Sequence, residues 1–222
     1  MDIIEAVKSR KSIRAYMDKP VAMEVIEEIL DVSVRAPSAL NTQPWEFAVI
    51  TGDVLDKVKE ENVKLIEEGG TPNPDVKPAT YEGVYKKRQV DLGLQIYGLL
   101  GIKRGDKEKR MEWGKAGFRF FGAPAVILVL CDNSLSEGYS MYDIGAVVQT
   151  ISLVALNYGL GTCIQGQGIM FPEVIRKHTH IPESKRLIIC VTIGYPDMDF
   201  PANKLITNRT PAKDITQWLG FK

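Results

Sequence analysis

Apolar residues recur at helical spacing from the start of the chain. Ile3, Ile4 and Val7 predict a short amphipathic helix ending near Ser9, with Asp2 and Glu5 placed as a carboxylate variant of a capping box. Over residues 23–34, Val25, Ile26, Ile29, Leu30 and Val34 form a second stripe, and Pro37 disfavours its continuation. Residues 45–51 alternate well enough for a strand, and Gly52-Asp53 opens a helix to about residue 66. Residues 69–78 hold three prolines and two glycines and predict a loop. Residues 81–120 then read as two charged amphipathic helices broken near Gly105-Asp106, a lid-like segment that begins at about residue 69.

Farther along, residues 124–131 and 186–194 are apolar runs suited to buried strands. Between them, residues 141–158 are apolar nearly all round, with Gly145, Ala146, Ser152 and Ala155 as small contact positions. Such a helix is expected in a core or a subunit interface. Gly159-Leu160-Gly161 suits a helix stop, followed by a short strand or extended loop over residues 162–165. The tail from about 197 to 222, with Pro201, Pro211 and Trp218, reads as an arm that needs another surface to lie on. No internal repeat or second domain interrupts residues 1–222, so a single domain is expected.

Composition narrows the function classes. Twenty-eight basic residues balance 28 acidic ones, so no global charge draws the chain to nucleic acid or an anionic membrane, and any anion must be held by a local cluster. Cys131, Cys163 and Cys190 are odd in number and sit in apolar surroundings, which suits reduced thiols. With only His178 and His180, both expected at the surface, a histidine-based metal site is not expected. The amino terminus carries no secretory pattern, and no stretch approaches the ~18 apolar residues of a membrane span. A cytoplasmic protein is the expectation.

Two runs carry candidate chemistry. Arg10-Lys11-Ser12-Ile13-Arg14 places three cations and a hydroxyl within five residues, enough for charge-assisted bonds to a phosphate. Taken alone, cations past a helix carboxyl terminus can be no more than solvated complements to its dipole. Ala36-Pro37-Ser38-Ala39-Leu40-Asn41-Thr42-Gln43-Pro44-Trp45 offers small and amide side chains on a proline-bounded turn, which could equally be an ordinary connection.

The order of these runs, with Gly159-Leu160-Gly161-Thr162-Cys163, Phe120-Phe121-Gly122-Ala123-Pro124-Ala125, Asp143-Ile144-Gly145 and Arg209-Thr210-Pro211, resembles the nitroreductase family of FMN-dependent oxidoreductases over nearly the whole chain. The resemblance implies an α+β fold, a mixed and mainly antiparallel sheet flanked by helices, built as an intertwined homodimer with two flavins at the interface. It puts Arg10, Ser12 and Arg14 on the FMN phosphate and ribityl chain, Lys11 near the flavin, and Arg209 returning from the tail to the phosphate. Pro37, Ser38, Ala39 and Asn41 would come from the other subunit. Gln165 and Gly166 match the segment whose backbone amide faces flavin N5, where a glycine lets the chain pass close to the ring.

The implied activity is reduction of small planar acceptors, nitroaromatics or quinones, by NADH or NADPH in a ping-pong cycle, with no catalytic side chain. Ile164 and Gln165 depart from the tryptophan or acidic residue frequent in that family segment, and Thr150 from an amide. Alternatives are reductive dehalogenation, with Glu82, Tyr85 and Lys103 gripping an amino-acid substrate, other flavin chemistry of the superfamily, or FMN binding without turnover. Trp113, Phe118, Phe120 and Phe121 could be core or substrate lid.

Overall fold

The computed structural model describes residues 2–221. Its centre is strand β2, Ala125–Asp132, in which nearly every position is buried. Because successive strand side chains point to opposite faces, the apolar run divides by parity. Ala125, Ile127, Val129 and Cys131 enter one core, and Val126, Leu128 and Leu130 enter the other. A strand buried on both faces cannot afford polar alternation, which is why it reads as continuous hydrophobicity.

Around β2 the sheet has the order β1-β2-β4-β3, with β1 at Glu46–Thr51, β3 at Gly161–Gln165 and β4 at Lys185–Gly194. All three pairings are antiparallel, and a parallel bridge between Ser12 and Thr162 adds the mixed element. One face carries helix α2, Met23–Ser33, and α6, Glu137–Asn157. The other carries α3, Gly52–Glu67, the end of α5, Lys107–Phe118, and α7, Pro172–Thr179. Helix α1, Ile3–Ser9, and α4, Gly83–Leu99, lie outside these layers.

Several sequence expectations change here. Asp2 is the N-cap of α1 but makes no side-chain capping bond, and Ile3, Ile4 and Val7 face outward instead of into the protomer. Helix α4 buries only Ile96 and leaves Val84, Val90 and Leu94 exposed. Helix α6 is one-sided: Ile144, Val147, Val148, Ile151 and Ala155 are buried, while Tyr139 and Tyr142 are exposed. By length and composition α6 is also long and apolar enough to cross a membrane, against the expectation that no stretch would be. Its buried stripe packs on the sheet.

Helix α7 has no counterpart in the sequence reading, although it carries proline at its start, Glu173 in its first turn and basic residues in its last, each matched to helix-end chemistry. His178, expected at the surface, is half-buried on α7 and bonds Glu61 at 2.7 Å.

The 69–78 loop is tied down by charge. Asp75 Oδ2 accepts from Arg176 Nη2 at 2.7 Å and from the Leu187 backbone at 2.7 Å, while Arg176 Nη2 also reaches the Lys185 carbonyl at 2.8 Å. Both side chains are mostly buried, so removing one partner strands the other. Asp75→Ala should lower the unfolding free energy by about 3 kcal/mol in a urea titration; a loss under about 0.5 kcal/mol would show the pair to be a solvated surface contact.

Candidate cofactor site

Residues 12–17 reach the sheet through their backbone. Ile13 N–H donates to Thr162 O at 2.9 Å on the open edge of β3, and Met17 N–H donates to Tyr195 O at 2.9 Å. The approach is tight: a Cβ on Gly161 would lie 2.5 Å from Ile13 Cγ1 and 2.8 Å from Pro196 Cγ, so only glycine fits. The fully buried Asn203 closes the arrangement. Its Oδ1 accepts the Arg14 N–H at 2.6 Å, and its Nδ2 donates to Ala15 O at 2.8 Å and Asp197 O at 2.7 Å. One amide thus joins the basic run to the start of the carboxyl-terminal segment.

Arg10, Lys11, Ser12 and Arg14 then line a cleft of about 580 Å³ together with Thr207, Asn208, Arg209 and Thr210 from the tail and Arg88, Asp91 and Gln95 from α4. Five cations share this wall with a single carboxylate. Among the described residues none of the five forms an ion pair within 4.0 Å. Among the described residues Arg209 bonds only its own segment, at Thr207 and Asn208, and Arg14 Nη1 reaches the Ser12 carbonyl at 3.5 Å. In a chain of zero net charge this local excess is the arrangement an anion neutralises. Arg88 was missed in the sequence; it donates to Thr210 Oγ1 at 2.8 Å and so links α4 to the same wall.

Gln165 ends β3 and Gly166 follows it, about 10 and 13 Å along the strand from Thr162. Antiparallel pairing sets their phase. Thr162 turns its carbonyl outward to Ile13, so Ile164 and Gly166 also present backbone groups away from β4. No acceptor among the described residues takes the Gly166 N–H. Gly166 has φ −100°, so left-handed strain is absent there, and a Cβ would meet nothing nearer than Ile189 Cδ1 at 3.9 Å. Space beside it is open in the protomer. Gln165 instead has a local role: Nε2 donates to Gly117 O at 3.3 Å and Oε1 accepts from Gly168 N–H at 3.0 Å.

Pro37, Ser38, Ala39 and Asn41 are not in this cleft. They form a separate turn, joined to the body by Ala39 N–H on Asp143 Oδ2 at 3.1 Å. Cys163 lies beside Ser12, and burial pushes its thiol above the usual range despite Arg14 and Arg10 nearby; Cys190 is pushed up for the same reason, so neither is a ready thiolate. The Thr150 hydroxyl is satisfied within α6 by Ala146 O at 2.8 Å. Phe118 and Phe120 are core, whereas Trp113 and Phe121 line a second cleft with Phe200 that reaches Arg14. Glu82 and Lys103 flank opposite ends of α4, a 17-residue helix about 25 Å long, so with Tyr85 they do not converge on one ligand within the protomer.

Known proteins resemble this chain over nearly its whole length. The sequence model of the nitroreductase family matches residues 7–195. The chain belongs to the nitroreductase family. A 4-nitrobenzoate reductase of Pseudomonas putida is 32% identical over 223 residues, covering 99% of this chain and 96% of the relative. Among solved structures, the FMN and NADPH-dependent nitroreductase NfnB from Sphigopyxis sp. strain HMH superposes with a TM-score of 0.93 at 28% identity, over 100% of each chain. The FMN-dependent nitroreductase NfnB from Mycobacterium smegmatis, in complex with NADPH, gives 0.90 at 26% identity over 97% of this chain and 96% of that one.

For this nitroreductase-family chain, Asn203 is the piece whose loss the geometry penalises most. Asn203→Leu keeps the branched shape but leaves the Arg14 N–H and the Asp197 carbonyl without partners, at about 1 to 3 kcal/mol each, and leaves the Ala15 carbonyl with the Asp197 N–H at 3.1 Å. The expected result is a drop of at least ~2 kcal/mol in stability by chemical denaturation; an unchanged midpoint would mean that water replaces the amide freely.

Proposed function

We propose that this protein is an FMN-dependent oxidoreductase that takes hydride from NADH or NADPH and reduces small planar acceptors such as nitroaromatics or quinones, working as a homodimer. The observation that carries the reading is the cleft of five cations and one carboxylate, held by backbone bonds to the same edge strand that ends at the free Gly166 N–H. The FMN and NADPH dependence of the related NfnB proteins supports it.

The residues present fit FMN. Arg10, Ser12, Arg14 and Arg209 would hold the phosphate, since planar guanidinium forks match a dianion in geometry and charge, and Lys11 adds a further cation. Gly166 would set its N–H against the ring, where the absence of a side chain lets backbone and ring approach. When bound, FMN supplies the redox chemistry, accepting hydride and passing electrons on. A fixed N–H donor at the ring edge favours the form in which electron density has increased, without any reorganisation during the reaction. Neither donor nor acceptor needs a separate site, so the two would take turns on one open face.

Dimerisation is supported by what the protomer leaves uncovered. Ile3, Ile4 and Val7 of α1, Tyr139 and Tyr142 of α6, and Ile206, Ile215, Trp218, Leu219 and Phe221 of the tail are all exposed. Apolar surface of that extent, spread over a helix pair and an arm, marks an association surface. A second subunit would also bring Pro37, Ser38, Ala39 and Asn41 to the flavin.

Three experiments test the reading. Arg14→Ala and Arg209→Ala should each weaken FMN binding by roughly 1.5 to 3 kcal/mol, one charge-assisted bond, in a flavin-fluorescence titration; unchanged affinity in both would remove the phosphate from this cleft. Gly166→Val should retain wild-type stability, because the protomer has room for the side chain, yet slow flavin bleaching by NADPH or NADH in stopped flow by tenfold or more for each ~1.4 kcal/mol of lost transition-state stabilisation. Full-speed bleaching in that variant would place the ring elsewhere. Parallel double-reciprocal plots for nicotinamide and acceptor are expected from one shared face, and intersecting lines would contradict it.

A further inference from the structure

The 37–43 loop is strained, and one hydrogen bond ties it to the body of the protein. Leu40, Asn41 and Gln43 have φ of 51°, 58° and 46°, three non-glycine residues in the left-handed region within four positions. Inside the loop, Asn41 N–H donates to Ser38 O, Thr42 N–H to Ala39 O, Gln43 N–H to Ser38 Oγ and Gln43 Nε2 to Asn41 O. Among the described residues, the bond that leaves the loop is Ala39 N–H to Asp143 Oδ2 at 3.1 Å, across 104 positions of sequence. Asp143 is only 2% exposed. The apex, Leu40, is 100% exposed. Strain of this kind persists only where the surroundings over-determine it; here buried Pro44 and Trp45 fix the far end of the loop, and the Asp143 carboxylate holds it at Ala39.

We propose that Asp143 is a positioning residue: from α6 it fixes the 37–43 loop in the conformation that the second subunit's FMN site receives. This rests on the reading above that the loop serves FMN across the dimer interface. Asp143 suits the task because it lies one residue past exposed Tyr142 and one turn past exposed Tyr139, so the helix that holds the loop also meets solvent beside it. A buried carboxylate with a peptide N–H as its one bonded partner is a poor choice for stability alone. It is a good choice for holding one backbone position, since a charged acceptor makes the stronger bond.

The test measures FMN affinity in variants that break the same bond from each side. Asp143→Leu removes the acceptor. Ala39→Pro removes the donor and spares the core; Ser38, at φ −141° and ψ 153°, already has the extended backbone that a following proline accepts. Each should bind FMN about tenfold more weakly or worse, with altered visible circular dichroism of the bound flavin, and Asp143→Asn, which keeps an acceptor oxygen, should stay within about threefold of wild type. Heterodimers isolated on two affinity tags, pairing Ala39→Pro with Arg209→Ala, should regain one FMN site per dimer at wild-type affinity. The Ala39→Pro subunit supplies an intact phosphate wall and the other subunit an intact loop, and a globally destabilised subunit could not produce that rescue.

Wild-type affinity in both Asp143→Leu and Ala39→Pro would overturn the proposal. So would two weak homodimers with no rescue in the heterodimer, because the loop would then act in its own subunit. A wild-type protein that binds no FMN would instead refute the cofactor reading itself.

Discussion

The short backbone pairing of Ile13 with Thr162 is the constraint on which the site depends. It lays the basic run against the open edge of β3, and Gly161 is glycine because Ile13 and Pro196 approach too closely for a side chain. From that one contact the rest follows by strand geometry. The cations gather at the strand's start, and the outward phase of Thr162, Ile164 and Gly166 carries to a free N–H about 13 Å away. Asn203 then locks the register by holding Arg14, Ala15 and Asp197 with one amide. The cation wall and the free Gly166 N–H are therefore parts of one edge.

The cost of that edge is charge. Arg10, Lys11, Arg14, Arg88 and Arg209 face one cleft with only Asp91 among them, and like charges so gathered repel until an anion arrives. Binding a dianion would turn that repulsion into attraction and stabilise the folded state by mass action. The proposed cofactor would thus be part of the fold's stability as well as its chemistry. The outward-facing apolar residues of α1, α6 and the tail add a second unmet demand, which a partner subunit would meet.

Local pattern carried much of this into the sequence. The valine-rich run of β2, the apolar stripe of α2, the break near Gly105-Asp106 and the five-residue basic run are each legible because spacing and composition state them directly. What was illegible depends on partners far away in the chain. Asn203 reaches back 189 positions to Arg14, Asp143 reaches 104 to Ala39, and Arg88 reaches 122 to Thr210. No periodicity marks such residues. Helix α7 was a different kind of omission, since proline at its start and basic residues at its end are local signals in a segment too short to show a stripe. The outward turn of Ile3, Ile4 and Val7 was hidden because an amphipathic pattern says that a face is buried, not by which subunit.

The central claim is that the cation cleft holds a flavin by its phosphate. Equilibrium titration of the apoprotein with FMN and with riboflavin, which has the same ring and ribityl chain but no phosphate, tests it most directly. Two or more charge-assisted bonds at roughly 1.5 to 3 kcal/mol each predict that FMN binds at least ~100-fold more tightly, with an advantage that shrinks as salt is raised. Equal affinities for the two, insensitive to salt, would contradict the account.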